Sequence, residues 1–443
     1  MAAHLSCRQD LVIGVNAYEK EYKGKRGYLT MDYQQICGPL GPVDEQLLIK
    51  TCQDLLQVPS YTGQEQELAE LLVEKMLGVG YDSAWIDGVG NVIGEIRGKN
   101  PGPTLLFDGH IDTIPVSGSE AWTKDPFEGV LEDGRIYGRG AVSMKGALAA
   151  MLCGLAPLIQ HKERLSGTVF ISGTVGKEQF EGLAFQQVIK VIKPHYVIVG
   201  EASNLHLCHG ERGRAQMIVM TTGKAVHSAA ALAGKNAGYM MMELVQEIMR
   251  QEKISKDSSE QESLALVNIA SAPLPVSSTV PHKCWATFDR YMVQDETEAE
   301  VLQPIHKAIE ILQQKDPSFF AEVGIAQTGL ECYTGQYLPG KRFFPRWLLS
   351  PEHELVRGAQ AALHRAGLTS TLSIYKISTN ASYCAAVARV PTIGFGPGCE
   401  EDMHIADENV EVSQLIAAAA GYQAIACQFL LNKGLSTLGC PLE

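Results

Sequence analysis

From Asp44 onward, apolar positions recur at helical spacing. In Glu45-Gln46-Leu47-Leu48-Ile49-Lys50-Thr51-Cys52-Gln53-Asp54-Leu55-Leu56 they fall three and four apart, which predicts a helix, and a second helix is predicted over Glu65 to Leu77. Short β-like runs follow at Val92 to Ile96 and Thr104 to Asp108. An Ala-rich helical stretch then runs from Ala147 to Gln160, ahead of strands at Thr168 to Ser172 and Tyr196 to Val199. Alternating strands and helices of this kind predict an α/β fold, a central mixed sheet with helices on both faces.

Past His209 the pattern changes. Strand-like Gln216 to Thr222, a helix at Ala237 to Gln251, a polar loop at Lys253 to Ser263, strands at Leu264 to Ala270 and Cys284 to Tyr291, a helix near Glu298 to Gln314 and a strand at Ala321 to Ala326 give the order β-α-β-β-α-β. That order predicts a small inserted, ferredoxin-like domain. The α/β pattern resumes with a helix at Glu352 to Ala366 and a strand at Pro391 to Phe395. The expected organisation is an N-terminal extension at 1–43, ended by Gly38-Pro39-Leu40-Gly41-Pro42, an α/β domain at 44–208 and 329–443, and an inserted lid or dimerisation domain at 209–328.

Length and composition narrow the function classes. The 443 residues supply material for two or three domains, and a hydrophobic fraction of 45% with 20% charged residues is that of a globular protein. A net charge of −13 without clustered Lys and Arg argues against a nucleic-acid partner. The first twenty residues carry no secretory pattern, no run reaches bilayer length, and the 11 cysteines show neither CxxC nor zinc-ribbon spacing. Free thiols, a cytoplasmic location and no membrane partner are the expectations.

The chemistry sits at strand ends, where open α/β sheets place their sites. The apolar strand Leu105-Leu106-Phe107-Asp108 runs into Gly109-His110-Ile111-Asp112, so an imidazole is followed two residues later by a carboxylate. Glu178, Glu201 and His404 each follow another predicted strand, and imidazole with carboxylate is a set suited to zinc. Gly138-Arg139-Gly140 lacks the further glycine of a dinucleotide fingerprint, and Ser143 is not in a GxSxG elbow. Cys208 and Cys399 lie near these residues without a base partner in sequence and read as packed thiols.

Taken together, Gly109-His110-Ile111-Asp112-Thr113, Gly138-Arg139-Gly140, Met144-Lys145-Gly146, Gly173-Thr174-Val175, Gly200-Glu201-Ala202, Arg212-Gly213-Arg214, Val226-His227-Ser228-Ala229, Ser378-Thr379-Asn380 and Gly394-Phe395-Gly396-Pro397-Gly398 resemble the aminoacylase, glutamate carboxypeptidase and succinyl-diaminopimelate desuccinylase family. The resemblance implies His110 and Glu201 as ligands of one zinc and Glu178 and His404 as ligands of the other, with Asp112 orienting His110. It implies His227 as a histidine reaching across a homodimer to the substrate carbonyl, and Arg214 and Asn380 as substrate contacts. It also implies hydrolysis of a C–N bond in a small substrate.

Two positions depart from that pattern. Ser143 stands where the family carries an aspartate bridging two metals, and Lys177 where it carries the glutamate that deprotonates water. Without a shared anionic ligand a close metal pair is disfavoured, and an ammonium has no lone pair for a proton and repels a dication. One zinc or other divalent ion, or none, is expected rather than two.

Four readings follow. The first is a weakly metallated hydrolase with another base, Asp112 or a deprotonated Lys177. The second is metal-free chemistry in which Lys177 pairs with Glu178 or Glu201, takes the electrostatic place of a metal, and acts as acid, oxyanion partner or Schiff-base former. The third is an inactive binding or scaffold protein, and the fourth a conventional zinc amide hydrolase with a compensated or mutated site. The expected substrate is a small molecule bearing a carboxylate, because Arg212, Arg214 and Lys177 supply matching donors.

Overall fold

The computed structural model describes residues 38–255, 263–272, 278–292 and 294–431. The expected N-terminal extension lies outside these residues up to position 37, as does most of the expected polar loop at 253–263. Chain contacts define two units. The larger comprises 33–217, 289–301 and 324–443, and the smaller takes in 218–288 and 302–323.

The larger unit is built on a nine-stranded mixed sheet. Its centre is four mutually parallel strands in the spatial order Ser166–Thr174, Asn100–His110, Tyr196–Val199 and Thr392–Gly394. Register pairs Gly109 with Gly173 and His110 with Thr174, so the carboxyl ends of the first two strands lie side by side. Leu105, Leu106, Phe107, Val169, Ile171, Val197 and Ile198 are wholly buried, as near-continuous apolar strands covered on both faces should be.

Helices Gly146–Leu155 and Val412–Leu430 pack on one face of the sheet and are apolar nearly all round. Gly154 permits their approach, since a Cβ there would stand 2.3 Å from the carbonyl oxygen of Ala419. Phe107, Tyr422 and Phe395 stack edge to face beneath them. The helix expected to run to Gln160 is α-helical only to Leu155 and continues as tighter turns to Arg164. Pro157 has no N–H for the α-helical ladder, which accounts for the change. The whole segment Ala141–Arg164 is long and apolar enough to cross a bilayer, yet 83% of its most apolar window is buried inside the protein, as in a core helix.

Strands Gly213–Thr222, Ser263–Ala272, Lys283–Met292 and Ala321–Ile325, with helices Ala237–Ser255 and Glu298–Lys315, follow the chain order β-α-β-β-α-β. Their sheet is ordered Ser263–Ala272, Lys283–Met292, Gly213–Thr222, Ala321–Ile325. Residues 209–211 stay with the larger unit, whose segment runs on to Met217, because strand Leu207–Glu211 pairs with Thr392–Gly394, Trp347–Leu348 and Leu372–Tyr375 in the nine-stranded sheet.

Candidate active site

The carboxyl ends of the four parallel strands deliver His110, Lys177, Glu178, Glu201 and His404 to one place in the larger unit. Close backbone approach at Gly396, where a Cβ would stand 2.3 Å from the Gly200 carbonyl oxygen, seats the segment carrying Glu201 against the one leading to His404. His404 itself has φ 66°, a conformation uncommon outside glycine. Its Nε2 lies 2.8 Å from Glu178 Oε1.

Asp112 organises the floor. Its Oδ1 accepts the Lys177 backbone N–H at 3.0 Å and its Oδ2 accepts the Glu178 N–H at 2.9 Å and the Thr62 hydroxyl at 2.7 Å. Its Oδ1 also stands 3.3 Å from His110 Nδ1, which lies 2.8 Å from the Asp112 carbonyl oxygen. Asp112 therefore orients His110 and the 177–178 turn together. With these contacts on both oxygens it is poorly placed to serve as the base considered from the sequence.

Lys177 points inward. Its Nζ is 2.6 Å from Glu201 Oε1, with the side chains 5% and 1% exposed. His110 Nε2 stands 3.6 Å from the same Glu201 oxygen. Burial pulls the Lys177 pKa down, but the Glu201 and Glu178 charges and the bond to Glu201 outweigh it and raise it well above the ordinary lysine value. The 2.6 Å pairing with Glu201 favours the charged ammonium over the deprotonated base considered from the sequence. Burial likewise pushes the Glu178 carboxyl up, but Lys177 and the bond to His404 hold it well below the usual range. His110 is lowered by burial and by Lys177, yet Asp112, Glu201 and Glu178 bring it to about 9.

Ser143 completes the cluster. Its hydroxyl donates to Glu178 Oε1 at 3.2 Å and lies 3.4 Å from His110 Nε2. The turn that carries it is held by Glu408, whose Oε1 accepts the N–H groups of Val142 and Ser143 at 2.9 and 3.1 Å while its Oε2 binds Arg139.

A divalent metal pair does not fit these donors as they stand. Ser143 offers a neutral hydroxyl between the two halves, and the Lys177 ammonium is paired with Glu201 Oε1. Among the described residues no group of three or more His, Cys, Asp or Glu side chains is arranged to hold a metal ion.

The other residues expected from sequence lie as follows. Asn380 spends its amide within the larger unit, donating to Asp108 at 2.8 Å and Thr174 at 2.9 Å and accepting the Gly182 N–H at 2.8 Å. Arg214 donates to Glu181 at 2.6 Å and Asp289 at 2.9 Å. His227 belongs to the smaller unit, is exposed, and accepts the Ala229 N–H through Nδ1 at 3.1 Å. The eight described cysteines, Cys208 and Cys399 among them, are unpaired. Sequence reasoning missed Thr62, Glu181, Asp289 and Glu408, whose partners are 33 to 269 positions away, and no local spacing marks them.

Glu211 is a further buried carboxyl of the larger unit. It accepts the Thr379 hydroxyl at 2.6 Å, its other oxygen is unpartnered, and burial pushes its pKa up to about 8. Its folded value lies above the unfolded one of roughly 4.3, so the cost of ionising it grows as pH rises from about 4 to 8. Glu211→Gln is therefore expected to stabilise the chain at pH 8 by about 1–3 kcal/mol, with the gain fading toward pH 4. Urea melts at both pH values check this, and a constant difference would refute it.

The mixed α/β fold is shared with several solved structures. The structure aligns with aminopeptidase PepT from Bacillus cereus at TM-score 0.66 and 20% identity, over 87% of this chain and 99% of that one. It aligns with the M20 family metallo-carboxypeptidase Sso-CP2 from Sulfolobus solfataricus at TM-score 0.65 and 17% identity, over 87% and 99%. These likenesses concern the fold. Residues 106–428 match Peptidase family M20/M25/M40, and the chain belongs to that family. It is 28% identical over 385 residues to the uncharacterized protein YgeY of Escherichia coli K12, covering 86% of this chain and 94% of that one. It is 27% identical over 389 residues to a succinyl-diaminopimelate desuccinylase of Cereibacter sphaeroides, covering 84% and 96%.

Proposed function

We propose that this chain is an enzyme acting on a C–N bond of a small carboxylate-bearing substrate, through a hydrolase-type site altered at Ser143 and Lys177. The observation that carries the reading is the convergence of His110, Asp112, Glu178, Glu201 and His404 around the charged Lys177 ammonium, which is held 2.6 Å from Glu201. A fixed, desolvated cation is suited to polarising a carbonyl and holding the oxyanion formed on it. With Lys177 charged and Asp112 engaged, the Glu178–His404 pair is the group left to take the proton of an attacking water and return it to the leaving amine. The proton's path is water to His404 to amine nitrogen, with Glu178 orienting the imidazole.

The desuccinylase relatives support a substrate that is an acylated amino acid. A panel of N-acyl-amino acids and dipeptides, assayed with and without exhaustive chelation, tests this. Turnover of at least one substrate that survives chelation is expected. Turnover abolished by chelation and restored by zinc would favour weakly metallated over metal-free chemistry at this site. No turnover across the panel would favour the third reading drawn from the sequence, an inactive binding or scaffold protein. That reading draws on the many contacts of Asp112 and on the Lys177–Glu201 pair, which leave few free reactive groups.

The proposed assembly is a homodimer through the inserted segment. Its sheet ends in strand Ser263–Ala272, where Leu266, Val267 and Ile269 are exposed, and such an edge favours pairing with a second copy. A cytoplasmic enzyme without nucleic-acid or membrane partners accords with the charge of −13.

A further inference from the structure

We propose that the Lys177 side chain is a built-in replacement for a divalent ion in the His110–Glu201 half of the cleft, and that it, rather than Ser143, keeps such ions out. Its ammonium lies 2.6 Å from Glu201 Oε1, and His110 Nε2 lies 3.6 Å from that oxygen, so a cation already holds the carboxylate oxygen that His110 approaches. The position is enforced from the backbone. The Lys177 N–H is tied to Asp112 Oδ1 at 3.0 Å, and the same carboxylate stands 3.3 Å from His110 Nδ1, so one residue places both the imidazole and the root of the lysine. An entering dication would have to displace an ammonium paired with its best carboxylate ligand, or share a buried site with a like charge.

Ser143 has a different part. Its hydroxyl touches Glu178 at 3.2 Å and His110 at 3.4 Å, so it lies between the two halves and sets how many ions could be held together. The two departures are therefore ranked. A carboxylate introduced at position 143 alone would find the Lys177 ammonium and gain an ion pair instead of a metal. Loss of the charge at 177 would open the His110–Glu201 half even with Ser143 in place.

The inference rests on the proposed function only in taking this cleft as the reactive site, and turnover is not its readout. Full-length wild type, Lys177→Gln, Ser143→Asp and Lys177→Glu/Ser143→Asp are stripped with chelator, offered excess zinc and desalted. Zinc per chain is then read by elemental mass spectrometry, and melting temperature is compared with and without zinc. Wild type and Ser143→Asp are expected to retain no stoichiometric zinc and to show no shift. Lys177→Gln is expected to take up zinc toward one equivalent, and the double variant about two, with melting raised in both.

Stoichiometric zinc in wild type overturns the proposal, as does uptake by Ser143→Asp with none by Lys177→Gln. Should Lys177→Gln fail to fold, Lys177→Leu replaces it under the same criteria, and stoichiometric zinc in wild type or in Ser143→Asp alone still overturns the proposal. Silence in every substrate assay together with zinc uptake by the Lys177 variants would refute the enzymatic reading and leave this one standing.

Discussion

Glu408→Ala is expected to destabilise the chain by about 3–5 kcal/mol, the range for removing one partner of a buried ion pair. Arg139 and Glu408 are 1% and 0% exposed, so the loss would leave a guanidinium charge buried beside Trp122, over whose ring it lies at 5.2 Å, without its counter-ion. The same carboxylate accepts the Val142 and Ser143 N–H groups, and those donors would also lose their partner. Glu408→Gln keeps two acceptor contacts and loses the charge, so its cost should be smaller. Urea denaturation of both variants measures the difference, and an Ala variant within about 1 kcal/mol of wild type would contradict the argument. Because this clamp sets the Ser143 turn, the Ala variant should also speed hydrogen exchange at the Val142 and Ser143 amides.

Lys177→Ala is expected to lower turnover of whichever acyl substrate the wild type accepts by about 10²–10³-fold, the usual consequence of removing one group that stabilises a developing oxyanion. It should also lower stability at neutral pH, since the buried Glu201 would lose its 2.6 Å ion pair and keep only the looser contact with His110 at 3.6 Å. The two effects separate in a double variant. Lys177→Ala/Glu201→Gln removes both charges and should regain much of the stability without regaining turnover. If activity returned with stability, Lys177 would be a structural ion-pair partner only, and its assigned part in catalysis would be wrong.

The fold was largely legible in the chain. The predicted strands at 104–108, 168–172 and 196–199 fall within the observed Asn100–His110, Ser166–Thr174 and Tyr196–Val199, because buried parallel strands write continuous apolar runs. Short strands such as Trp347–Leu348 and Leu372–Tyr375 were not anticipated, since two to four residues carry too little period to stand out. Of the site, His110, Glu178, Glu201 and His404 were marked by following strands, and they do come together. Lys177 was marked by a departure from a resembled motif.

By itself, then, the sequence determined the layered α/β architecture, the strand ends on which reactive side chains stand, and the replacement of two expected acids by Ser143 and Lys177. Only the tertiary structure decided which charges meet. It set Lys177 against Glu201, 24 positions on, gave Arg214 to Glu181 and Asp289, and tied Arg139 and the Ser143 turn to Glu408. Periodicity records which face of an element is buried, a property of neighbouring residues. The partner of a buried charge depends on strand register and on where long loops return, and those are settled by the packing of segments far apart in the chain.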